Sequence, residues 1–261
     1  MRILLLLLLL AGPLRAEIEV DMELVLAVDV SRSMSPMELE IQRRGYAEAL
    51  TSDEVLKAIE RGFLGRIAVT YVEWAGVGSQ RIIAEWMVIE TPEDAKELAD
   101  RISFTATAAM RRTSISEGLV FAADMFEDNG FTSYRRVIDI SGDGPNNQGI
   151  PVTRARDLVV ERDITINGLP LMTRDGYGHE WNIDDLDVYY ENCVIGGIGA
   201  FAVPVRDWSE FARAVRRKLV LEISGLGASG YQLAQVENAP TVDCLIGEKI
   251  WQRNRNGMGL P

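Results

Sequence analysis

Strand-like and helix-like segments alternate along most of this sequence, and the alternation limits the folds open to it. The first strand-like run, LVLAVDV (24–30), is apolar on both faces up to its aspartate, as is typical of a parallel strand covered by helices on both sides. Ser35, Pro36 and Glu38 follow it. A serine cap, a proline at the first helical position and a glutamate three residues after the cap predict the start of a helix. We expect this helix to continue through MELEIQRRGYAEAL and to end before Gly62.

The same alternation continues downstream. We predict further strands at 67–74, 81–89, 136–141, 164–171 and 200–205, and further helices that begin near Thr91, Ser114, Pro151 and Asp207. The strands 67–74 and 81–89 are joined by a short turn around AGVGS, so they must run antiparallel. The predicted fold is α/β and Rossmann-like: a mostly parallel central sheet of about six strands with one antiparallel edge strand and helices on both faces.

The first sixteen residues, MRILLLLLLLAGPLRA, have a basic start, a short apolar run and a small residue at the end. They predict a cleaved secretory signal peptide, with a retained membrane anchor as the alternative. No later segment of the sequence is long and apolar enough to span a bilayer. We therefore expect an exported protein, periplasmic or extracellular, with no membrane span in the mature chain. The expected domain covers 17–223 with an insertion at about 172–198, and a Gly-rich tail covers 224–261.

Charge and cysteine content limit the partners. Loss of the signal peptide leaves 25 basic and 39 acidic residues, a formal charge of −14, and such a protein repels nucleic acids and anionic lipids. The two cysteines, Cys193 and Cys244, predict a disulfide in an exported chain; two free thiols are the alternative. Together with the single histidine, His179, they are too few for a four-ligand structural zinc site.

Oxygen-bearing side chains follow the predicted strands in three loops at one edge of the sheet, where open α/β sheets bind ligands. The residues are Asp29, Ser31, Ser33, Thr113 and Asp143. In an extended segment, residues two apart point the same way, so the first three can present oxygens to one point. Two carboxylates and three hydroxyls suit a hard divalent cation. The sequence therefore predicts a Mg²⁺ site, with Mn²⁺ or Ca²⁺ as alternatives.

These features together resemble a known family. A D-x-S-x-S pattern after the first apolar strand, a threonine before a later helix and an aspartate after the strand RVIDIS are similar to the metal-ion-dependent adhesion site (MIDAS) of von Willebrand factor type A (vWA) domains. The resemblance extends over about 22–222, and the stretches ISGDGPNNQG and YYENCVIGGIGAF resemble an exported bacterial branch of such proteins. It implies a vWA fold in which the same five residues hold the metal directly, through water or by positioning its ligands.

Some residues depart from this pattern or have simpler explanations. The family commonly has small residues before the threonine, whereas this chain has Arg111 and Arg112, and Ser114 is an alternative to Thr113 as the ligand. Asp139 lies within RVIDIS and is predicted to be a core carboxylate. The acidic cluster in the insertion is predicted to be a solvated surface; it consists of Asp184, Asp185 and Asp187.

The resemblance implies a binding module of the adhesion or scaffold type, in which a carboxylate of an unknown partner protein completes the coordination of the metal. We predict that the protein is not an enzyme, since the chain has no nucleophile-elbow, P-loop or dinucleotide-binding motif. The alternatives are a metal-dependent phosphohydrolase with Asp29 as the nucleophile and a metal-free structural scaffold.

Overall fold

A five-stranded sheet is the centre of the structure, a computed structural model that describes residues 17–104, 109–173, 183–225 and 242–257. The strands are β1 (Ile18–Glu19), β2 (Glu23–Asp29), β3 (Ile67–Trp74), β4 (Gln80–Ile89), β5 (Phe131–Thr132), β6 (Arg136–Gly142) and β7 (Ile164–Pro170). The α-helices are α1 (Pro36–Leu50), α2 (Asp53–Glu60), α3 (Pro92–Phe104), α4 (Ile115–Asp124), α5 (Val152–Val160), α6 (Leu186–Tyr189), α7 (Phe211–Ser224) and α8 (Ile246–Gly257). The predicted signal peptide and His179 lie outside the described residues.

The order of strands in the main sheet is β4-β3-β2-β6-β7. Only the β3–β4 pair is antiparallel, which confirms the predicted edge strand, and β1 pairs with β5 in a separate two-stranded sheet. The strand order changes direction at β2, because β3 lies on one side of it and β6 on the other. The carboxyl ends of β2 and β6 are therefore neighbours at a topological switch point, where α/β sheets form their ligand sites.

The predicted sixth strand, 200–205, is not a regular strand. It follows β7 through backbone hydrogen bonds, such as Gly168 N to Phe201 O at 3.0 Å and Val205 N to Pro170 O at 2.9 Å, but it forms only isolated bridges. Pro170 and Pro204 have no amide hydrogen, so neither can donate to a continuous ladder. The sheet consequently has five regular strands instead of about six.

Two hydrophobic cores lie on opposite faces of the sheet, and β2 contributes to both. Leu24 and Leu26 belong to the core formed with α1, α3 and α7, whereas Val25 and Ala27 belong to the core formed with α4, α5 and α6. All four side chains are fully buried. This double burial explains why the strand is apolar at every position from Leu24 to Val28, and it confirms helices on both faces.

The helix signals are confirmed at their starts but not always at their ends. Ser35 and Glu38 form the predicted capping box at the start of α1. The helix does not continue towards Gly62 as predicted, because a second cap at Ser52 accepts a hydrogen bond from Val55 N and begins α2. Ser52, which follows the C-cap Thr51 of α1 and caps the start of α2, was not recognised as a boundary in the sequence.

The insertion and the tail contain structure that the sequence patterns did not predict. The insertion holds α6, followed by a π-helical turn at Tyr190–Val194, and the tail holds α8. Cys193 and Cys244 join them in a disulfide with a Cα–Cα distance of 5.6 Å, which confirms the predicted bridge. In the part of the chain that the structure describes, no helix is long and apolar enough to cross a membrane.

Candidate metal centre

The first loop of the candidate site begins at Asp29, the last residue of β2, which is fully buried. Its Oδ1 accepts a hydrogen bond of 2.7 Å from Ser31 N, and the hydroxyls of Ser31 and Ser33 lie 2.8 Å apart. The backbone then turns, with Met34 N donating to Ser31 O at 3.2 Å. The oxygens therefore meet because the loop closes on itself, and not because the segment is extended, as the sequence argument assumed.

The second loop reaches the same point from β6. Because β2 and β6 pair in parallel, with Val28 opposite Ser141, the loops after the two strands are adjacent. Ser33 Oγ donates a hydrogen bond of 2.7 Å to Asp143 Oδ1. Four of the five predicted ligands thus form one connected group of oxygens, consisting of Asp29, Ser31, Ser33 and Asp143.

The electrostatics of this group favour a bound cation. Burial raises the pKa of Asp29 well above its usual value, and the nearby Asp143 raises it further. Burial also raises the pKa of Asp143 to about 6, although the hydrogen bond from Ser33 opposes the shift. Asp29 Oδ2 is buried and has no hydrogen-bond partner. A buried carboxylate oxygen without a partner is costly, so two adjacent buried carboxylates are stabilised by a proton or by a bound cation.

The third predicted loop is held against the other two by its backbone. Met110 N donates to Val30 O at 2.8 Å, Thr113 N donates to Asn147 Oδ1 at 3.1 Å, and Asn147 N donates to Thr113 O at 2.9 Å. Thr113 is buried. Among the described residues, no direct hydrogen bond joins it to the four connected ligands, so the structure places it beside the group without linking its hydroxyl to them.

Ser114, the alternative ligand, has other contacts. It is the N-cap of α4, where its hydroxyl accepts a hydrogen bond of 3.3 Å from Glu117 N and donates one of 2.9 Å to Gln148 O. This hydroxyl therefore holds the start of α4 and the loop after β6 together. Thr113 is the residue of the two whose hydroxyl is not committed to a cap.

Two features of the site were missed by sequence reasoning. Asn146 and Asn147 join the loop after β6 to its neighbours: Asn146 Oδ1 accepts from Ser116 N at 3.0 Å, and Asn147 accepts from Thr113 N. Their position shortly after Asp143, in the turn GDGPNN, was a signal that could have found them. Such turn residues commonly bond to nearby backbone through their side chains.

The second missed feature is Tyr190, which comes from the insertion. Its hydroxyl is buried without a hydrogen-bond partner, and a Cβ built on Gly142 would lie 2.8 Å from this hydroxyl and 3.1 Å from Asp29 Oδ2. Burial, followed by the charges of Asp29 and Asp143, raises the pKa of Tyr190. No sequence signal connects a tyrosine in an insertion with an aspartate so far away in the chain.

Two acidic features were predicted not to bind the metal. Asp139 is buried, and its Oδ1 lies 2.7 Å from Lys218 Nζ, which confirms it as a core carboxylate. In the acidic cluster of the insertion, Asp184 and Asp185 are exposed, while Asp187 forms an ion pair of 2.8 Å with Arg206. The cluster is thus a solvated surface, as predicted.

The geometry can now be compared with known proteins. The profile of the family described as "Protein of unknown function (DUF1194)" matches residues 19–227, which is most of the chain. The chain belongs to this family. A comparison with curated proteins gave no significant match.

Solved structures similar to this DUF1194 protein show its fold. Proximal thread matrix protein 1 from the mussel byssus is 14% identical, with a TM-score of 0.56, over 80% of this chain and 49% of the mussel protein. The pilus adhesin SpaC from Lactobacillus rhamnosus GG is 12% identical (TM-score 0.54; 80% of this chain, 30% of SpaC), as is a von Willebrand factor type A protein from Catenulispora acidiphila (TM-score 0.51; 78% and 43%). The predicted vWA fold is therefore confirmed. This chain spans half or less of the length of each of these proteins.

Proposed function

We propose that this protein is an exported, metal-dependent protein-binding module that recognises an acidic group of a partner through a Mg²⁺-type site. One observation carries the proposal: Asp29 and Asp143 are both buried and are linked through Ser31, whose amide bonds Asp29, and Ser33, whose hydroxyl bonds Asp143, while a second Asp29 oxygen is buried without a partner. Within the described residues, no Lys or Arg forms an ion pair with either carboxylate.

The donor set fits a small hard cation. All donors are oxygens, and only two of them are carboxylates; Mg²⁺ is held in this way, through one or two carboxylates with further oxygens from water or ligand. Asp29, Ser31, Ser33, Thr113 and Asp143 would hold it. When bound, the cation supplies a Lewis-acidic centre that accepts one further oxygen. The side chains of the loops fix that centre at the edge of the sheet, and their neutral hydroxyls leave it with charge to attract a partner's carboxylate.

Two further observations support parts of the proposal. One solved structure of the mussel byssus protein is described as having a zinc-occupied MIDAS motif; it is 14% identical to this chain, with a TM-score of 0.54, over 80% of this chain and 49% of the mussel protein. The fold is thus compatible with a divalent cation at this motif. The disulfide between Cys193 and Cys244 supports export, since disulfides persist mainly in oxidising compartments.

Thermal unfolding in chelator and then in a Mg²⁺ or Mn²⁺ series tests the proposal. At ten times the dissociation constant, a ligand of the folded state adds about 1.4 kcal/mol, which is roughly 3 to 5 °C in Tm for a domain of this size. We expect this shift in the wild type and its loss in Asp29→Ala. Asp53→Ala is the matched control, because it removes an exposed aspartate at the start of α2, and it should retain the shift.

The two alternative functions predict different results for the wild-type protein and for variants at Asp29. A metal-dependent phosphohydrolase would hydrolyse p-nitrophenyl phosphate in Mg²⁺ and lose this activity in Asp29→Asn. A metal-free scaffold would show equal Tm values in chelator and in metal, for the wild type and for Asp29→Ala alike. Either result would contradict the proposed function.

A further inference from the structure

Arg112, next to the predicted ligand Thr113, has an unusual backbone. Its φ is 73°, in the left-handed region that a residue with a Cβ rarely adopts. Directly before the predicted ligand Thr113, this chain thus keeps an arginine in a strained backbone conformation. Strain of this kind at the rim of a ligand site indicates that the side chain has a function there.

The guanidinium of Arg112 is held by the C-terminal helix. Its Cζ lies 4.7 Å from the centre of the Trp251 ring, and Cζ of Arg255 lies 5.3 Å from the same ring. Cation–π contacts of this length orient a guanidinium without neutralising its charge. Trp251 therefore places two positive groups together, one from the loop before Thr113 and one from α8.

Helix α8 is fixed at this position by several contacts to the loop after β6. Asn146 Nδ2 donates to Glu248 Oε1 at 2.7 Å, and the disulfide anchors Cys244, just before the helix. A Cβ on Gly247 would lie 2.1 Å from the carbonyl oxygen of Asn146, so only glycine permits this approach. The tail therefore supplies residues to the edge of the sheet that carries Asp143.

The arginines around the candidate site differ from most others in the chain. We define the rim arginines as the exposed residues Arg32, Arg111, Arg112 and Arg255. Within the described residues, none of the four forms an ion pair with a carboxylate, whereas Arg156, Arg162 and Arg213 each pair with an acidic neighbour. In a chain of strongly negative charge, four exposed guanidinium groups without an ion pair among the described residues thus lie on loops and a helix around a predicted metal site.

We propose that the rim arginines form the second half of the binding surface and that the partner presents a run of adjacent aspartates or glutamates. One carboxylate of the run binds the metal, and its neighbours bind the guanidinium groups of the rim. Arginine suits this role, since its planar guanidinium group can donate two parallel hydrogen bonds to one carboxylate. The inference rests on the proposed function, because it assumes that a carboxylate occupies the metal. An acidic peptide also complements the rim better than nucleic acid, which the negative charge elsewhere on the chain repels.

Calorimetric titration with two blocked tetrapeptides in Mg²⁺ tests this inference on the mature full-length chain. One peptide has four aspartates, and the other has one aspartate and three glycines. We expect the wild type to bind the tetra-aspartate about tenfold more tightly, as for one additional charge-assisted hydrogen bond. Arg112→Gly should bind both peptides with the affinity of the single-aspartate peptide. Glycine accepts the left-handed backbone, so this variant should fold at least as well as the wild type.

Two further variants separate the possible outcomes. Arg61→Ala removes an exposed arginine at the end of α2, far along the chain from the candidate site, and it should retain the tenfold preference. Asp29→Ala should lose metal-dependent binding of both peptides; if it binds them like the wild type, the proposed function fails. The rim inference itself is overturned if Arg112→Gly keeps the preference, if the wild type shows none, or if the rim binds oligothymidylate in place of the tetra-aspartate.

Discussion

Among the residues that the structure describes, two pairs of buried carboxylates can be compared. They differ in whether a positively charged side chain lies beside them. The core pair, Asp139 and Glu222, has a buried lysine: Lys218 Nζ lies 2.7 Å from Asp139 Oδ1 and also bonds Glu222 Oε1. The edge pair, Asp29 and Asp143, has serine hydroxyls and backbone donors. In the described chain, no Lys or Arg side chain forms an ion pair with the edge pair.

The comparison shows which site needs an external ligand. Burial raises the pKa of all four carboxyl groups, that of Asp143 to about 6 and that of Glu222 to about 7. In the core pair, Lys218 lowers the pKa values again, because it stabilises the ionised form. Among the described residues, the edge pair has no such internal cation. It must take up a proton or bind a cation from solution, and for this reason we propose that the edge pair holds the metal and that the core pair is structural.

The largest expected effect comes from removal of the internal cation. Lys218→Met should lower the free energy of unfolding by about 3 to 5 kcal/mol, since loss of one partner leaves buried charges uncompensated. Urea unfolding at neutral pH measures this. Lys57→Met is the matched control, because Lys57 is exposed and lies 3.7 Å from Asp53; such surface pairs contribute about 0 to 1 kcal/mol. Equal losses in the two variants would show that Lys218 does not stabilise the core pair.

The second-largest expected effect is a dependence of the free energy of unfolding on pH, which arises from titration of Glu222 in the core pair. Glu222 has a pKa near 4.5 when unfolded and about 7 when folded. The folded state therefore binds the proton more tightly, and the free energy of unfolding from this group falls as the pH rises from about 4.5 to 7. The expected loss is about 3 kcal/mol. Glu222→Gln keeps the shape but cannot titrate, so its unfolding free energy should depend less on pH; an unchanged slope would contradict this assignment.

A matched pair of aspartate variants separates the two regions by their response to metal. Asp143→Asn should abolish the stabilisation by Mg²⁺, about 1.4 kcal/mol at ten times the dissociation constant, because it removes a carboxylate of the edge pair. Asp139→Asn should unfold more easily but should keep the Mg²⁺ response, since its contacts are in the core. Thermal unfolding with and without Mg²⁺ measures both. If Asp139→Asn loses the Mg²⁺ response and Asp143→Asn keeps it, the metal binds at the core pair and the assignment to the edge pair is wrong.

The smallest effects should come from the two adjacent hydroxyls before α4. Ser114→Ala removes the helix cap and should cost about 1 kcal/mol of stability, with the Mg²⁺ affinity unchanged. Thr113→Val should leave the metal-free stability nearly unchanged and weaken Mg²⁺ binding. Denaturant unfolding and metal titration of both variants measure the contrast. If Ser114→Ala is the variant that weakens Mg²⁺ binding, then Ser114 is the ligand and the assignment of Thr113 is wrong.

Much of the fold could be predicted from the sequence, for local reasons. The continuous apolar run of β2, the capping box at Ser35 and Glu38, and the short connection between β3 and β4 each depend on neighbouring residues, and each was confirmed. The errors were at boundaries. The break between α1 and α2 depends on a serine that can cap a helix or lie within one, and the irregular edge at 200–205 depends on two prolines in segments that meet only in the folded sheet.

The candidate site was predictable in its residues but not in its connections. The motif named Asp29, Ser31, Ser33 and Asp143, and the structure joins these four residues. Their serines meet through a turn, however, and not through an extended segment. Tyr190 could not be inferred at all, since a buried hydroxyl beside the site depends on how the insertion packs against β6.

The sequence by itself determined the alternation of strands and helices, the oxygen-bearing residues after two strands, and the cysteine pair, because these are patterns of composition and spacing along the chain. Only the tertiary structure decided which buried carboxylates lie beside a positively charged side chain. Asp139 and Asp143 are four residues apart in one segment, yet Asp139 is paired with Lys218 from α7, while Asp143 faces Ser33 after β2. The reason is physical: electrostatic neutralisation depends on distances of a few ångströms between groups far apart in the chain, and folding alone sets those distances.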